Sequence, residues 1–595
     1  MLKKAKPIKL ALLVVSMILG SFMQILSAAS ASEMRALYDV RIPVRDGTEL
    51  SADIWMPSAD GKYPAILVTT PYVKAISPPG LDLRSFIAGF AVHGYVALYQ
   101  DARGRGDSEG EFLSGSSGQD GYDTIEWIAK QPWSNGRVCT MGWSALATVQ
   151  WAAARLEPPH LNCMVATASG AFQQVMKAGG GIGLDAVQWA FLTSGRMAQP
   201  PFDLSMDWEK VSWHRPLQTI DKATGRDMPT LKKFIDSSTP GYAPFLNKEL
   251  DADDYRRINL PALHVTGWFD ITLRGALLYW EGMKQYSPAK DQQYLLIGPW
   301  DHPQTMMGGS TRYGEMEFTE DSIVDLPDLH RKFFDHYLKK NTGRFDFPYA
   351  RVYVTGANKW RDFDVYPPYQ AKEKRLFLHS AGKANSLNGD GHLNWTAPAD
   401  EPADTFVYDP RNPVPSPFGD MFQPTKPMDQ RPLEAREDIL VYTSDILTEP
   451  LEIIGDVLME LFAATDGRDT DFTVKLLDVH SDGRAILLGS PKSGIIRARY
   501  RSGIENEVLL TPGKVEKYSI SLLHMGHVFL PGHRVRIEVS SSAYPVILPN
   551  QNTGNPTETD TEWRTAHQTV YHNKIYPSAL VLPVFHDAPP KISAK

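Results

Sequence analysis

The sequence is poor in cysteine and has no excess of basic residues. Its 595 residues include two cysteines, Cys139 and Cys163, which excludes a fold built on a disulfide framework. Both lie in apolar runs, so we expect buried free thiols, with a bridge between neighbouring strands as the alternative. With 69 acidic against 61 basic residues and no basic cluster, we expect no binding to nucleic acid or to an anionic membrane surface.

A long apolar run occurs near the N-terminus. It spans residues 10–26, follows four lysines, and is followed by small residues at 29–31 that match a cleavage site. This organisation is typical of a signal peptide, so we expect residues 1–31 to be removed, leaving no stable membrane span. The mature chain would then be periplasmic or secreted. An uncleaved membrane anchor is the alternative.

Internal repeats are absent, and the length predicts two or three domains. Residues 32–170 and 255–346 alternate short apolar runs with helical stretches, which predicts an α/β domain around a parallel sheet. Residues 171–254 lack this alternation and are rich in Trp, Met, Gly and Pro; we expect a helical cap. Residues 347–595 contain short alternating strands, beginning with the segment ARVYVTG, and predict an all-β sandwich or jelly roll.

Two serines compete for the role of nucleophile. Ser108 stands in GDSEG, which matches G-x-S-x-G, but a Gly/Ser-rich stretch follows it instead of a helix. Ser144 stands in MGWSALAT, between a compact strand and a strong helix former, which is the geometry that a nucleophile elbow requires. Gly142, two residues before Ser144, has no side chain and therefore allows the backbone crowding of such a turn. An ordinary helix N-cap at Ser144 is the alternative.

An acid and a base follow later strands. Asp270 ends one predicted strand and His302 follows another, in the chain order Ser…Asp…His of an α/β-hydrolase. Asp301 is a poor orienter because it adjoins His302. His264 lies in mid-strand and is predicted to be a core residue.

Several segments together resemble a known family, the cocaine-esterase and X-prolyl dipeptidyl-peptidase superfamily of serine hydrolases. The resemblance spans nearly the whole mature chain and implies an α/β-hydrolase core, a helical cap and a C-terminal jelly roll of the galactose-binding type. It is carried by the segments RDGTELSADIWMP, TTPYVK, DARGRGDSEG, DGYDTIEWIAKQPWSNGRV, MGWSALATVQW, GWFD, IGPWDH, DTDFTVKLLDV and RVRIEVSSSAYPVILPNQNTG.

By position, the resemblance implies that Ser144 is the nucleophile, His302 the general base and Asp270 the triad acid. It further implies that the phenol of Tyr72 and the backbone N–H of Ala145 bind the oxyanion. The chain departs from the family pattern G-x-S-Y-x-G, since alanines occupy positions 145 and 147. The backbone donor survives this change, but the pocket beside the nucleophile should differ.

We therefore expect a serine hydrolase that cleaves a small ester or amide through an acyl-enzyme, with esterase activity favoured. The alternatives are an X-prolyl dipeptidyl-peptidase, an acylase or acyltransferase, and a non-catalytic glycan- or partner-binding protein. The segment Ile271-Thr272-Leu273 offers no charge for a substrate ammonium. Self-association is left open. Candidate pocket residues, with a structural core of the cap as their alternative role, are Trp143, Trp189, Phe191, Met197 and Trp213.

No cofactor or metal is expected. Residues 466–471 lack the ligand spacing of an EF-hand and are predicted to form a solvated turn. The histidines of the C-terminal region show no metal-like spacing; they are His480, His524, His527 and His533.

Overall fold

A computed structural model describes residues 34–76, 82–112, 117–171, 178–199, 206–235, 250–340, 343–416 and 425–586. The predicted signal peptide lies outside these ranges. Of the helices in the described part, none is long and apolar enough to cross a membrane.

The first sheet has ten strands in the described residues, in the order β1-β2-β4-β3-β5-β6-β7-β8-β11-β12. In this order, the strands from β4 to β11 pair in parallel, and antiparallel pairs lie at the two ends. The predicted parallel α/β core is thus confirmed. The strands are β1 Met34–Pro43, β2 Glu49–Pro57, β3 Tyr63–Thr70, β4 Val96–Asp101, β5 Ser134–Trp143, β6 Leu161–Thr167, β7 Ala262–Phe269, β8 Gln293–Asp301, β11 Ala350–Val354 and β12 Lys359–Phe363; the short strands β9 Arg312–Tyr313 and β10 Met316–Glu317 form a separate hairpin.

Helices connect these strands. The helices of this domain are α1 Leu83–Ala88, α2 Ser117–Ala129, α3 Ala145–Ala154, α8 Ala252–Arg257, α9 Leu273–Tyr286, α10 Gln304–Met307 and α11 Leu326–Phe334, which continues as a π-helix over Asp335–Lys340. Helix α3 consists almost entirely of buried residues, because it is covered by α2 as well as by the sheet. A Cβ at Gly121 of α2 would lie 2.7 Å from the Cβ of Ala153 in α3. Small residues therefore permit the close packing that holds α3 against the sheet.

Short helices lie in the region predicted as a cap. They are α4 Leu184–Leu192, α5 Trp208–Ser212, α6 Ile220–Thr224 and α7 Pro229–Ile235. Their apolar side chains form a cluster that includes Ala145, at the start of α3, and Leu548 of the C-terminal domain. The glycine run before α4 approaches the C-terminal domain closely: a Cβ at Gly179 would lie 2.1 Å from the carbonyl oxygen of Ile495. Glycine is needed there because two backbones meet.

The C-terminal domain is all-β, as predicted, and its described residues form twelve strands in one hydrogen-bonded network around a large apolar core. They are β13 Ala371–His379, β14 His392–Asn394, β15 Asp404–Tyr408, β16 Leu440–Ser444, β17 Leu451–Thr465, β18 Asp471–Val479, β19 Ala485–Leu487, β20 Ile495–Arg497, β21 Glu516–Phe529, β22 Arg534–Ser540, β23 Ala566–Tyr571 and β24 Ala579–Phe585.

Two expectations are corrected here. The segment ARVYVTG was assigned to the C-terminal domain, but β11 pairs in parallel with β8 and extends the first sheet. Free thiols were favoured, but Cys139 and Cys163 form a disulfide with their Cα atoms 4.7 Å apart. They are direct register partners on β5 and β6, and strand register cannot be read from apolar runs alone. The limits of the domains stay a prediction.

Candidate active site

Ser144 occupies a strained turn between β5 and α3. Its backbone has φ 56° and ψ −127°, a conformation that costs energy for a residue with a side chain and marks functional sites. Its N–H donates to the carbonyl of Thr167 on β6, over 3.0 Å, and its own carbonyl begins the hydrogen bonding of α3. A Cβ at residue 142 would lie 2.7 Å from Leu146, so Gly142 is required. The mechanical features of a nucleophile elbow are present.

Ser108 lies in a different environment. It is fully buried, its Oγ donates to the carbonyl of Asp101 over 2.7 Å, and it accepts from the N–H of Ser51 over 2.9 Å. These bonds tie the loop after β4 to β2. The hydroxyl is thus engaged in structure, as the absence of a following helix predicts.

Asp270 and His302 form a buried hydrogen-bonded pair. Nδ1 of His302 lies 2.7 Å from Oδ1 of Asp270, and both residues are almost fully buried. The carboxylate also accepts from the hydroxyls of Thr266 and Thr272 and from the N–H of Thr272, at 2.8–3.0 Å. Three donors besides the imidazole therefore fix the orientation of this carboxylate.

Asp301, the other carboxylate beside the histidine, points elsewhere. Its Oδ1 accepts from the N–H of Gln304 at the start of α10, over 2.9 Å. Burial raises the pKa of Asp301 to about 6. Asp270 is thus the carboxylate that orients the imidazole.

The sheet brings Ser144, Asp270 and His302 to one edge. Each follows the carboxyl end of its strand, on β5, β7 and β8, and these ends are linked through β6. In parallel strands these ends lie at the same edge, and successive strands are about 4.8 Å apart. A binding crevice is expected at this edge in an open α/β sheet.

Tyr72 contacts Ser144 from the loop after β3. Burial raises the pKa of Tyr72, and hydrogen bonds with Trp189 and Ser144 oppose that shift. The indole Nε1 of Trp189, on α4, donates to the phenol oxygen over 3.0 Å. Since that bond uses a lone pair of the phenol, the phenol keeps its own proton to donate.

The candidate pocket residues separate into different environments. Trp143, Trp189 and Phe191 are buried, and Phe191 packs edge-on against Trp208 within the cap. Trp213 packs against Tyr544 and Trp563 of the C-terminal domain, with ring centroids 5.2 and 5.9 Å away. Met197 is 49% exposed. Of this group, Trp189 has a polar contact to the predicted site.

Sequence reasoning missed a contribution from the C-terminal domain. The hydroxyl of Ser490, in a loop between β19 and β20, donates to the backbone carbonyl of Asp270 over 2.8 Å. Two residues later, Lys492 forms a buried ion pair with Asp185 of α4, 2.6 Å long. This loop therefore connects the candidate triad acid to the helix that carries Trp189. No local sequence pattern indicates such a contact between distant segments.

The solvated turn predicted at residues 466–471 is wrong for its second half. Asp469 and Asp471 are buried and pair with Arg499 and Arg497, at 2.8 and 2.9 Å. These arginines, which lie far along the chain, neutralise the carboxylates. Because the carboxylate oxygens of Asp469 and Asp471 are bound by these arginines, the arrangement argues against a calcium-binding loop.

Comparisons with known proteins agree with this geometry. Residues 46–304 match the model of the X-Pro dipeptidyl-peptidase (S15) family, and residues 344–581 match the X-Pro dipeptidyl-peptidase C-terminal non-catalytic domain. The cocaine esterase of Rhodococcus sp. (strain MB1 Bresler) is 32% identical over 580 residues, covering 92% of this chain and 98% of the relative.

Solved structures show the same architecture. An aminopeptidase from a marine sediment Thaumarchaeota archaeon superposes with a TM-score of 0.80 and 26% identity, covering 93% of this chain and 97% of the other. An α-amino acid ester hydrolase gives the same TM-score and identity, with coverage of 94% and 98%.

Proposed function

Because this chain belongs to the superfamily of cocaine esterases and X-Pro dipeptidyl-peptidases, we propose that it is an exported esterase that acts through an acyl-enzyme on Ser144. The observation that carries the proposal is the strained elbow at Ser144, on the sheet edge that also bears the buried Asp270–His302 pair. The family establishes that the chain is a serine hydrolase. The proposal adds that Ser144 is the nucleophile, that Asp270 and His302 complete the triad and that the substrate is an ester.

His302 acts as the general base. Its Nδ1 donates to Asp270, so the neutral ring carries its lone pair on Nε2. As Ser144 Oγ attacks the ester carbonyl, its proton moves to Nε2 and is then passed to the leaving alkoxide. A water molecule then gives up a proton to the same nitrogen and attacks the acyl carbonyl. As the bond between the acyl group and Oγ breaks, Nε2 returns the proton to Ser144 Oγ and the acid is released. Asp270 stays ionised throughout and stabilises the imidazolium.

Tyr72 and Ala145 bind the oxyanion. Ala145 is the first residue of α3, so its N–H has no partner within the helix and lies at the positive end of the helix dipole. The phenol of Tyr72 is the second donor, and Trp189 orients it. The raised pKa of Tyr72 keeps the phenol protonated at neutral pH.

Ester substrates are favoured over amino-acyl ones by the residues after Asp270. Ile271 and Leu273 are buried, and the hydroxyl of Thr272 is bonded to Asp270. This segment therefore offers no carboxylate to a substrate ammonium. The 32% identity to a cocaine esterase points the same way. Cleavage of X-Pro peptides is the second candidate, supported by the family model and by the aminopeptidase structure.

Export is supported by two observations. Residues 1–31 have the pattern of a signal peptide. The disulfide between Cys139 and Cys163 fits an oxidising compartment such as the periplasm or the cell exterior.

A fluorophosphonate probe tests the nucleophile. The purified mature protein should be labelled, Ser144→Ala should not, and Ser108→Ala should keep its labelling per folded molecule. Labelling that survives in Ser144→Ala would overturn the assignment. A panel of p-nitrophenyl esters and X-Pro p-nitroanilides would then rank the two substrate classes, and product analysis with a competing alcohol would separate hydrolysis from acyl transfer.

A further inference from the structure

Two turns of the C-terminal domain, between β18 and β19 and between β21 and β22, meet at a second group of polar side chains, separate from the residues of the proposed triad. Asp478 lies near the end of β18, and His480 follows in the turn toward β19. His533 comes from the turn between β21 and β22. The spacing of these residues in the sequence shows no metal motif, but the fold brings them together.

The three side chains each offer one ligand atom, and these atoms all lie within 4.8 Å of one another. Nδ1 of His533 lies 2.8 Å from Oδ1 of Asp478, and Nε2 of His480 lies 3.7 Å from Oδ2 of the same carboxylate. The two imidazoles are stacked, with ring centroids 4.6 Å apart. Ligands of a tetrahedral zinc ion lie about 3.3 Å from one another, since each is about 2.0–2.1 Å from the metal. Small side-chain rotations would produce that geometry.

Among the described residues, no lysine or arginine forms an ion pair with Asp478. Its side chain is 4% exposed, and every ion pair it makes with described residues is to a histidine: His480, His527 or His533. A buried carboxylate needs a counter-charge. Here that charge comes either from a protonated imidazole or from a bound cation.

The surroundings resemble the outer shell of a metal centre. Nε2 of His527 lies 3.3 Å from Oδ2 of Asp478, and its Nδ1 lies 2.8 Å from the hydroxyl of Thr355. Such partners fix the orientation of a ligating carboxylate. The His480 side chain is 30% exposed, so an ion and a water ligand can reach the site from solvent.

We propose that Asp478, His480 and His533 bind a divalent transition-metal ion, with Zn²⁺ the expected occupant. Two imidazoles and one carboxylate suit zinc better than calcium or magnesium, which prefer oxygen ligands. Water would complete the coordination. The ion would join the β18–β19 turn to the β21–β22 turn, close to Thr355 of the first domain, whose backbone bonds to Gly526 and Val528. The role of the ion would be to stabilise the two turns and, through them, the adjacent contact between the domains at Thr355.

Metal titration of the mature protein tests the proposal. After EDTA treatment and removal of the chelator, calorimetry with Zn²⁺ at pH 7.5 should show one equivalent bound with a Kd tighter than about 10 µM, weaker than a four-ligand structural site. Co²⁺ should give the absorption bands of a tetrahedral site. The double variant His480→Ala/His533→Ala should bind both ions at least about tenfold more weakly.

The matched control is His567→Ala, which removes an exposed histidine of the same domain that also pairs with an aspartate, Asp466. It should bind Zn²⁺ as the unchanged protein does. Retained ester hydrolysis by the double variant would show that it is folded. If the double variant does not fold, the single change His480→Gln, at a partly exposed position, should weaken Zn²⁺ binding in a folded protein. No binding by the unchanged protein, or binding that persists in the double variant, would overturn the proposal.

Discussion

Each of the two domains contains a buried Asp–His pair with a serine and a tyrosine nearby. In the α/β domain, the pair is Asp270 and His302, 2.7 Å apart. In the β domain, Nε2 of His572 lies 2.8 Å from Asp404 and 3.1 Å from the hydroxyl of Ser380. By residue type alone, both groups would pass for a catalytic triad.

The two groups differ in the partner of the second ring nitrogen of the histidine and in the hydrogen bond that the serine makes. Nδ1 of His572 lies 3.3 Å from a second carboxylate, Glu401, so carboxylates flank both ring nitrogens. Burial lowers the pKa of His572, but Asp404 and Glu401 outweigh it and the net pKa is raised. Ser380 donates to Asp404. Carboxylates lie against both ring nitrogens of His572, and the Ser380 hydroxyl is already bonded to one of these carboxylates, so this histidine is poorly placed to act as a general base. Ser144, in contrast, stands on a strained elbow. Proximity of Ser, His and Asp is therefore not sufficient for catalysis.

The largest expected effect comes from neutralising each aspartate. Asp270→Asn should lower kcat by about 10⁴-fold, because the amide favours the wrong imidazole tautomer. Asp404→Asn should leave kcat unchanged but weaken the domain by about 3 kcal/mol, since it breaks a buried charged pair. Steady-state ester hydrolysis and thermal melting of both variants measure the two effects. A large loss of kcat in folded Asp404→Asn would contradict the comparison.

The next largest effect should distinguish Tyr72 of the proposed active site from Tyr442 beside Asp404. Tyr72→Phe should lower kcat by about 10²- to 10³-fold, as expected for one oxyanion donor, with KM little changed. Its counterpart Tyr442→Phe removes a hydroxyl that donates to Asp404 over 2.7 Å and should cost stability by about 1–2 kcal/mol without changing kcat. Equal kcat values for Tyr72→Phe and the unchanged enzyme would remove Tyr72 from the oxyanion site.

Much of the active site could be predicted from sequence because its determinants are local. A strand, a small residue at 142 and a strong helix former identify Ser144, and the alternation of strands and helices places Asp270 and His302 at the same sheet edge. The family resemblance added Tyr72. Each of these features depends on a few adjacent residues.

The remaining features depend on pairings between distant segments. The disulfide needs the register of β5 against β6, and the buried pairs of Asp469 and Asp471 need arginines some thirty positions away. Ser490 reaches Asp270 across 220 positions. Hydrophobic periodicity predicts which face of a helix or strand is buried, but it does not predict which loops contact each other. These contacts can therefore be identified only in the folded structure.

The smallest expected effect is a pH dependence of stability that arises from His572. Its folded pKa lies above the unfolded value of about 6.5. Its contribution to stability is therefore fully present below pH 6.5 and is lost as the pH rises through the folded pKa. Glu401→Gln removes one of the two carboxylates and should bring the folded pKa closer to 6.5. The fall in urea midpoint between pH 6 and 8 should then shrink, by an amount equivalent to about 1 kcal/mol or less.

The pH profile of kcat/KM sharpens the same contrast. It reports the base of the free enzyme, which is His302 in the proposed mechanism, so Glu401→Gln should leave its acid limb in place. If the acid limb moved together with the urea midpoint, His572 would be coupled to catalysis and the separation of the two Asp–His pairs would be wrong. If only the midpoint moved, the two pairs would differ as their contacts indicate: two carboxylates raise the pKa of His572, whereas a single carboxylate orients His302 as the proposed general base.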